Sequence, residues 1–431
     1  MPKIASIYSI YRSGTGISTD TRTLQEGNLY FALKGEHFDG NNYIEYALQQ
    51  GAAYCISSDP QYLSAENVLV VKDTLQTLQE LANYHRHQLT IPFIAITGSN
   101  GKTTTKELLA NCLGTKFKTH FTRGNLNNHI GVPLTILQIT KETEIAIIEM
   151  GANHIGEIAA LCQIAEPTYG LITNIGDAHL DGFGSPEGVL KGKSELADYI
   201  RQHQGIFFIN ANEKSLAPLQ EKFSSSIHYG DHSNCVKTNY NIAQISSDPV
   251  LQFSLNDKIY ISQLAGGYNY NNILTAIAVS DYFGVTPVDS AKAISAYSPN
   301  NNRSQWREYM GTRILMDAYN ANPSSMQQAI LNFSHLQVSP KSLILGDMKE
   351  LGKYSTELHK KILDLISTQN GITQVILIGP EFYSLKLNYP KFNFYPATTD
   401  LQINWDSLSG HSILLKGSRG IRLEALLHET D

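Results

Sequence analysis

Apolar positions along this chain take two forms. Short unbroken runs such as "FIAIT", "EIAIIEM", "YGLITNI" and "GIFFIN" alternate with longer stretches in which apolar residues return every three or four positions. Unbroken runs separated by helical stretches predict parallel strands buried on both faces, the α/β pattern. From Ile94 onward they predict a central parallel-sheet domain, whose ligands would gather at the carboxyl ends of the strands.

Residues 1–90 read as a small α/β unit: strand-like "NLYFALKG" and "VLVVKD" flank helix-like "NYIEYALQQGA", and a further helix pattern puts Leu75, Leu78, Leu81 and Ala82 on one face. Pro92 interrupts that pattern and marks the boundary. Residues 91–297 form the central domain; near residues 226–265 the runs "IAQISS", "LQFSLND" and "KIYISQL" predict an antiparallel edge on its sheet, followed by a helix ending near Gly284. The polar stretch "SPNNNRSQ" predicts a linker. Residues 298–431 then repeat the alternation with "RILMDAYN", "KSLILGDM", "TQVILIGP" and "HSILLKGS", a second doubly wound unit. The fold class is α/β in three domains.

Composition narrows the function. The chain has 431 residues, 42% of them hydrophobic and 17% charged, as in folded globular proteins. The 33 basic and 39 acidic residues give a net charge of −6 without a long basic run, so the footprint expected for nucleic acid is lacking. Cys55, Cys112, Cys162 and Cys235 are scattered, which argues against a zinc site or a disulfide framework and for reduced thiols. No window approaches the roughly 18 apolar residues of a membrane span, and the opening "MPKIASIYSIYRSG" lacks a signal-peptide core. The expectation is a cytoplasmic protein without membrane insertion.

The strongest local signal is "IAITGSNGKTTTKELLANCL". A strand, a glycine-punctuated turn and a helix N-terminus aim backbone N–H groups and the positive end of the helix dipole at one spot, which suits a phosphate. Gly98 and Gly101 allow close approach of Ser99, Asn100 and the backbone, Lys102 can bridge outer phosphates, and Thr103, followed by Thr104, can offer a hydroxyl to Mg²⁺. The spacing G-x-x-G-K-T is a shortened variant, with Ile96 where the generic loop has its first glycine. Glu149 closes a strand and is placed to supply a hard oxygen to Mg²⁺, although a solvated strand end fits the same position. His179 fits a ligand or a helix cap equally well. Lys191 and Lys193 read by themselves as a solvated face; held neutral, one could add CO₂ and become a metal-binding carbamate.

"TGSNGKTTTKE", "NLNNHIGVPLTIL", "IIEMGANHIGEI", "ITNIGDAHLDGFGS", "KGKSE", "DAYNANPSSM", "LGDMKELG" and "LKGSRGIRLE" occur in the order found in the ATP-dependent Mur ligases, which the chain resembles over nearly its whole length. The resemblance implies a P-loop ATPase domain between a UDP-muropeptide-binding domain and a Rossmann-like C-terminal domain that binds D-Ala-D-Ala. It implies ATP and two Mg²⁺ as cofactors, with Lys102 and Thr103 serving ATP and its metal, Glu149 a further metal ligand, His179 at the second metal and Lys193 carbamylated. Asn269 and Asn272 fall in a segment that contacts adenine in the family, where Tyr268 replaces the usual His. Arg303 and Asp317 would complete the nucleotide site, Asp317 at the ribose. Ser18, Thr19, Asp20 and Arg22 resemble residues that hold uridine diphosphate, and a capped turn is the plainer reading of that stretch. Asn320, Asn322, Lys416, Ser418 and Arg419 would lie near the dipeptide, with a helix-capping surface residue as the alternative for Arg419. "DAYNANPSSM" points to the dipeptide-adding branch, acting on UDP-MurNAc-tripeptide as a monomer. Because the motifs are spread over three domains, the reading predicts an enzyme that closes around ATP.

Overall fold

The computed structural model describes residues 2–223, 226–230, 240–299 and 302–427. Cys235 and the middle of "SPNNNRSQ" lie outside the described residues. Cys55, Cys112 and Cys162 are buried free thiols. Among the described residues, no helix is long and apolar enough to cross a membrane.

The first unit is a four-stranded parallel sheet in the order Gly16–Ser18, Asn28–Phe31, Tyr54–Ser57, Val68–Val70. The chain enters it through a helix, Ile4–Ser13, that the hydrophobic pattern left unassigned. Helix Thr74–Arg86 buries Leu78, Leu81 and Ala82 against helices Gly131–Leu137 and Glu157–Ala165 of the middle unit, so the two units share one apolar core.

The middle unit is a six-stranded, all-parallel sheet: Ile227–Tyr229, Ile206–Asn210, Tyr169–Ile172, Phe93–Thr97, Ile145–Glu149, Thr119–Phe121. The chain leaves the central strand Phe93–Thr97 first toward one edge and later toward the other. The turn after Thr97 therefore sits where the strand order reverses, the place such sheets present to ligands. The expected antiparallel edge is instead a separate three-stranded sheet, Ile242–Ser246, Gln252–Leu255 and Lys258–Ile261. Its apolar face (Ile242, Phe253, Leu255, Tyr260) packs into the core behind helix Asn269–Tyr282, and burial of that face, with no shared ladder, attaches it.

The third unit orders its strands Gln305–Tyr309, Thr312–Asp317, Ser412–Lys416, Lys341–Gly346, Ile372–Ile378, Asn393–Tyr395, with only the first pair antiparallel. The last strand of the chain is inserted beside Thr312–Asp317 in a register that sets Lys416 opposite Asp317. This insertion brings "DAYNAN" and "LKGS" together across about a hundred residues of sequence.

Candidate active site

The phosphate loop is shaped by its own glycines and by the neighbouring strand. Gly98 (φ +143°) passes so close to Thr173 that a Cβ there would lie 2.0 Å from its hydroxyl, and at Gly101 (φ +77°) a Cβ would lie 2.6 Å from Asn272 Oδ1. Ser99 N donates to Asn174 O (3.0 Å) and Asn100 N to Asn174 Oδ1 (2.9 Å). Those two amides therefore hold the loop in shape, and the amides left for an anion are those of the first turn of helix Lys102–Leu113, which have no carbonyl behind them within the helix. Lys102 Nζ folds back onto Gly98 O (2.6 Å) and Ser99 O (3.1 Å). Burial, helped by Arg303, lowers its pKa, while Glu149 acts in the opposite sense.

Glu149 is almost completely buried at the end of its strand. Its Oε1 accepts from Thr103 Oγ1 (3.1 Å) and Asn127 Nδ2 (2.8 Å), and Lys106 Nζ lies 3.3 Å from Oε2. The solvated strand end is thus not what forms. A hydroxyl and a carboxylate meeting at the loop's mouth are hard oxygen donors of the kind Mg²⁺ takes. Among the described residues, no cluster of three or more His, Cys, Asp or Glu could hold a metal. A magnesium ion at this mouth would therefore complete its shell with phosphate and water, its usual habit.

Lys191 is exposed as expected of a solvated face, but Lys193, one residue beyond Gly192, is only 1% exposed and donates to Ala152 O (2.9 Å). Burial first, and repulsion from Lys102 second, push its pKa well below the ordinary lysine value against Glu157 and Glu195. His179, at φ +54°, precedes a one-turn helix without capping it by its side chain; its Nδ1 pairs with Glu350 of the third unit.

The third unit closes the other side. Asn322 Nδ2 donates to Asn100 Oδ1 (2.7 Å) and Asn100 Nδ2 to Ser324 Oγ (3.0 Å), so this unit sits on the phosphate loop. Lys416 Nζ pairs with Asp317 Oδ2 at 2.7 Å and donates to Asn320 O, which ties a residue expected at the dipeptide to one expected at the ribose. Ser418 is buried, its hydroxyl donating to Ala321 O and accepting from Lys349 N, so it shapes the loop. Asn322 Oδ1 accepts from Ser325 N as the cap of helix Pro323–His335. Arg303 lies 3.6 Å and exposed Arg419 5.4 Å from the centre of the Tyr319 ring.

A cavity of about 830 Å³ joins these parts. Ser99, Asn100, Gly101, Lys102, Thr103, Thr104, Glu149, His179, Asn269, Asn272, Arg303, Asp317, Asn320, Asn322 and Lys416 line it; Gly98, Lys193, Ser418 and Arg419 do not. Nor do Ser18, Thr19, Asp20 and Arg22, which form a self-contained turn at the end of the first strand, with Arg22 forked onto Asp20. The amides of Asn269 and Asn272 are engaged within the protein: Asn269 Nδ2 with Ala265 O, and Asn272 with both Asn269 Oδ1 and Thr105 Oγ1. They fix helix Asn269–Tyr282 to the phosphate-loop helix. Tyr268, beside them in the lining, bonds through its hydroxyl to Ser304 Oγ (2.8 Å).

Sequence reasoning missed Lys106, Asn127, Tyr319 and Glu350. Lys106 had a signal, since it stands one helical turn after Lys102 and three residues after Thr103. The other three stand inside the motifs "NLNNHIGVPLTIL", "DAYNANPSSM" and "LGDMKELG", which mark the segments but not which of their side chains reach the site.

Three family models match in chain order: the Mur ligase family, catalytic domain, over residues 14–86; the Mur ligase middle domain over 96–280; and the Mur ligase glutamate ligase domain over 302–418. A relative from Bacillus subtilis (strain 168), named UDP-N-acetylmuramoyl-tripeptide--D-alanyl-D-alanine ligase, is 34% identical over 429 residues, covering 96% of this chain and 92% of its own. The chain belongs to the Mur ligase family. Among solved structures, a MurF crystal structure from Acinetobacter baumannii superposes with a TM-score of 0.86 at 30% identity, covering 98% of this chain and 97% of its own. MurF ligase from Thermotoga maritima in complex with ADP gives 0.79 at 26% identity, covering 99% and 97%. The family's three-domain architecture is the one seen here.

Proposed function

We propose that this chain is an ATP-dependent amide ligase of peptidoglycan precursor synthesis that joins D-alanyl-D-alanine to UDP-N-acetylmuramoyl-tripeptide, giving UDP-MurNAc-pentapeptide. The observation that carries this reading is the single cavity onto which the phosphate loop, Glu149 and third-unit Asp317, Asn320 and Lys416 all open. A carboxylate is a poor electrophile at neutral pH. Transfer of the γ-phosphoryl group of ATP to the terminal carboxylate of the tripeptide gives an acyl phosphate. The dipeptide amine then attacks its carbonyl carbon, the C–O bond to phosphate breaks and inorganic phosphate leaves, with no bond to the enzyme at any stage.

The chain's own contribution is placement and charge. Lys102 swings from its loop carbonyls to the outer phosphates, and the first-turn amides of its helix hold the remaining charge. Thr103 and Glu149 would hold one Mg²⁺, and His179 with a carbamate on Lys193 the second; bound there, the ions offset charge on the phosphoryl oxygens. A low lysine pKa favours the neutral amine that CO₂ addition requires, and the depressed Lys193 supports the carbamate. Arg303 and Asp317 grip the nucleotide beside Tyr268, Asn269 and Asn272. Lys416, Asn320, Asn322 and Arg419 face the dipeptide, on a loop shaped by Ser418. Ser18, Thr19, Asp20 and Arg22 hold the uridine diphosphate. A cytoplasmic monomer belongs to the same reading.

The test is release of ADP and phosphate with defined UDP-muropeptides and amines. Release matched one to one with pentapeptide, and only with D-Ala-D-Ala, is expected. Release with a free amino acid instead would reassign the chain to a sibling ligase, and no release with any amine would leave a nucleotide-dependent binding protein.

A further inference from the structure

Lys106 is completely buried, and nothing in the reaction above uses it. Taking an ammonium group out of water costs several kcal/mol unless charged and polar partners replace the water. Here they are a carboxylate on each side, Glu149 Oε2 at 3.3 Å and Glu107 Oε1 at 3.9 Å, with Gly124 O at 3.4 Å. Glu107 is itself bonded to Tyr297 OH.

The two oxygens of Glu149 are therefore divided. Oε1 is held by Thr103 and Asn127, which line the cavity; Oε2 faces Lys106, which does not line it. We propose that Lys106 is a positioning residue for the metal site: it anchors the inner oxygen of Glu149 so that the outer one is presented at the mouth of the phosphate loop. The inference rests on the reading of Glu149 as a magnesium ligand. Among the described residues Oε2 accepts no hydrogen bond, so the Lys106 ammonium at 3.3 Å is the charge that holds the inner side of the carboxylate. Because the final torsion of a glutamate is broad and roughly two-fold, its loss lets the plane turn against the Thr103 and Asn127 bonds to Oε1 and shifts the outer oxygen.

The probe is Mn²⁺, titrated by electron paramagnetic resonance into the full chain with a non-hydrolysable ATP analogue. Residues that orient a metal ligand typically contribute about 10- to 100-fold in affinity. Lys106→Met is expected to weaken Mn²⁺ by about tenfold or more on that scale, with UDP-muropeptide binding unchanged. In a Glu149→Gln background, the same change should have no further effect. Unaltered Mn²⁺ affinity in Lys106→Met, or an equal loss in both backgrounds, overturns the proposal. Wild-type Mn²⁺ affinity in Glu149→Gln alone overturns the parent reading of Glu149. If Lys106→Met fails to fold because it leaves Glu149 buried without its partner, Lys106→Gln is measured in both backgrounds against the same outcomes.

Discussion

The middle unit meets its two neighbours in different ways. Against the first unit it shares a continuous core: Leu78, Leu81 and Ala82 pack with Val132, Ile136, Ile158 and Leu161. The polar groups of that seam cap helix ends, with His85 on Ile139 O and Arg86 on Ala165 O and Glu166 O. Against the third unit the contacts around the cavity are side-chain hydrogen bonds and one ion pair, Asn322 and Ser324 with Asn100 and Glu350 with His179, beside a smaller apolar contact in which partly buried Tyr354 and Leu358 pack on the shared core and Ala265 enters the third unit's core. A seam sealed by apolar burial moves as one body, whereas a seam of exchangeable polar contacts opens at little cost, since water replaces each bond. The phosphate loop and Lys193 thus belong to a rigid two-unit block, and the third unit is the part able to come and go.

The largest effects should come from the rigid block, and they should be effects on turnover. Lys102→Ala is expected to lower kcat by about a thousandfold, the scale for losing one preorganised charge partner of the transition state. UDP-muropeptide affinity, measured by calorimetry, should hold. Lys193→Ala should be crippled to a similar degree and partly restored by formate or acetate, which supply the missing anionic oxygens. Lys191→Ala, on the exposed side of the same helix, should be mild. Near-wild-type kcat in Lys102→Ala would remove the phosphate assignment, and equal mild losses at both helix lysines would remove the carbamate.

The seams can be compared directly. Leu81→Ala should destabilise the chain by about 2–5 kcal/mol, as for other buried leucines, with the first and middle units melting together. Asn100→Ala removes the two bonds of its own side chain to the third unit, at a cost of about 1 kcal/mol each. It should raise the radius of gyration in small-angle scattering, which a nucleotide analogue with UDP-tripeptide should bring back down. Separate melting of the first unit in Leu81→Ala, or an unchanged scattering profile in Asn100→Ala, would break the contrast between the seams.

What the sequence disclosed follows the same division. The strand, glycine turn and helix that carry Gly98, Lys102 and Thr103 were legible because they are contiguous in sequence. Lys193 was half legible: a lysine two residues from an exposed one reads as solvated, and only packing beneath Phe183 and Ala152 makes it a buried amine. The third-unit residues could be named from their motifs, but their pairing could not. Asp317 meets Lys416 because the last strand inserts beside Thr312–Asp317, a register that strand patterns do not encode. The small antiparallel sheet was read as an edge because alternation reports a buried face and says nothing about which ladder a strand joins. Ile4–Ser13 escapes because it buries only Ile7 and Tyr11, too sparse an apolar stripe to announce a helix.

The smallest effect belongs far from both seams, at Asp20 and Arg22. Their side chains are 37% and 86% exposed, and their fork is closed at 2.6 Å, so water competes for it on every side and the pair adds little stability. Hydrogen bonds from Arg22 nevertheless hold the Asp20 carboxyl at about 2. Because that value lies below the roughly 3.9 of a free aspartate, whatever the pair contributes is complete above about pH 4 and is lost as pH falls toward 2. Arg22→Ala should therefore shift the melting temperature slightly and by the same amount from pH 8 to pH 5, with the two curves converging between about pH 4 and pH 2. If the turn only caps the strand, the UDP-muropeptide KM of this variant will equal that of the parent. If it holds the diphosphate, KM should rise several-fold and more steeply at low ionic strength, where a charge acting on a phosphate is least screened, while kcat and the KM for D-Ala-D-Ala stay where they are.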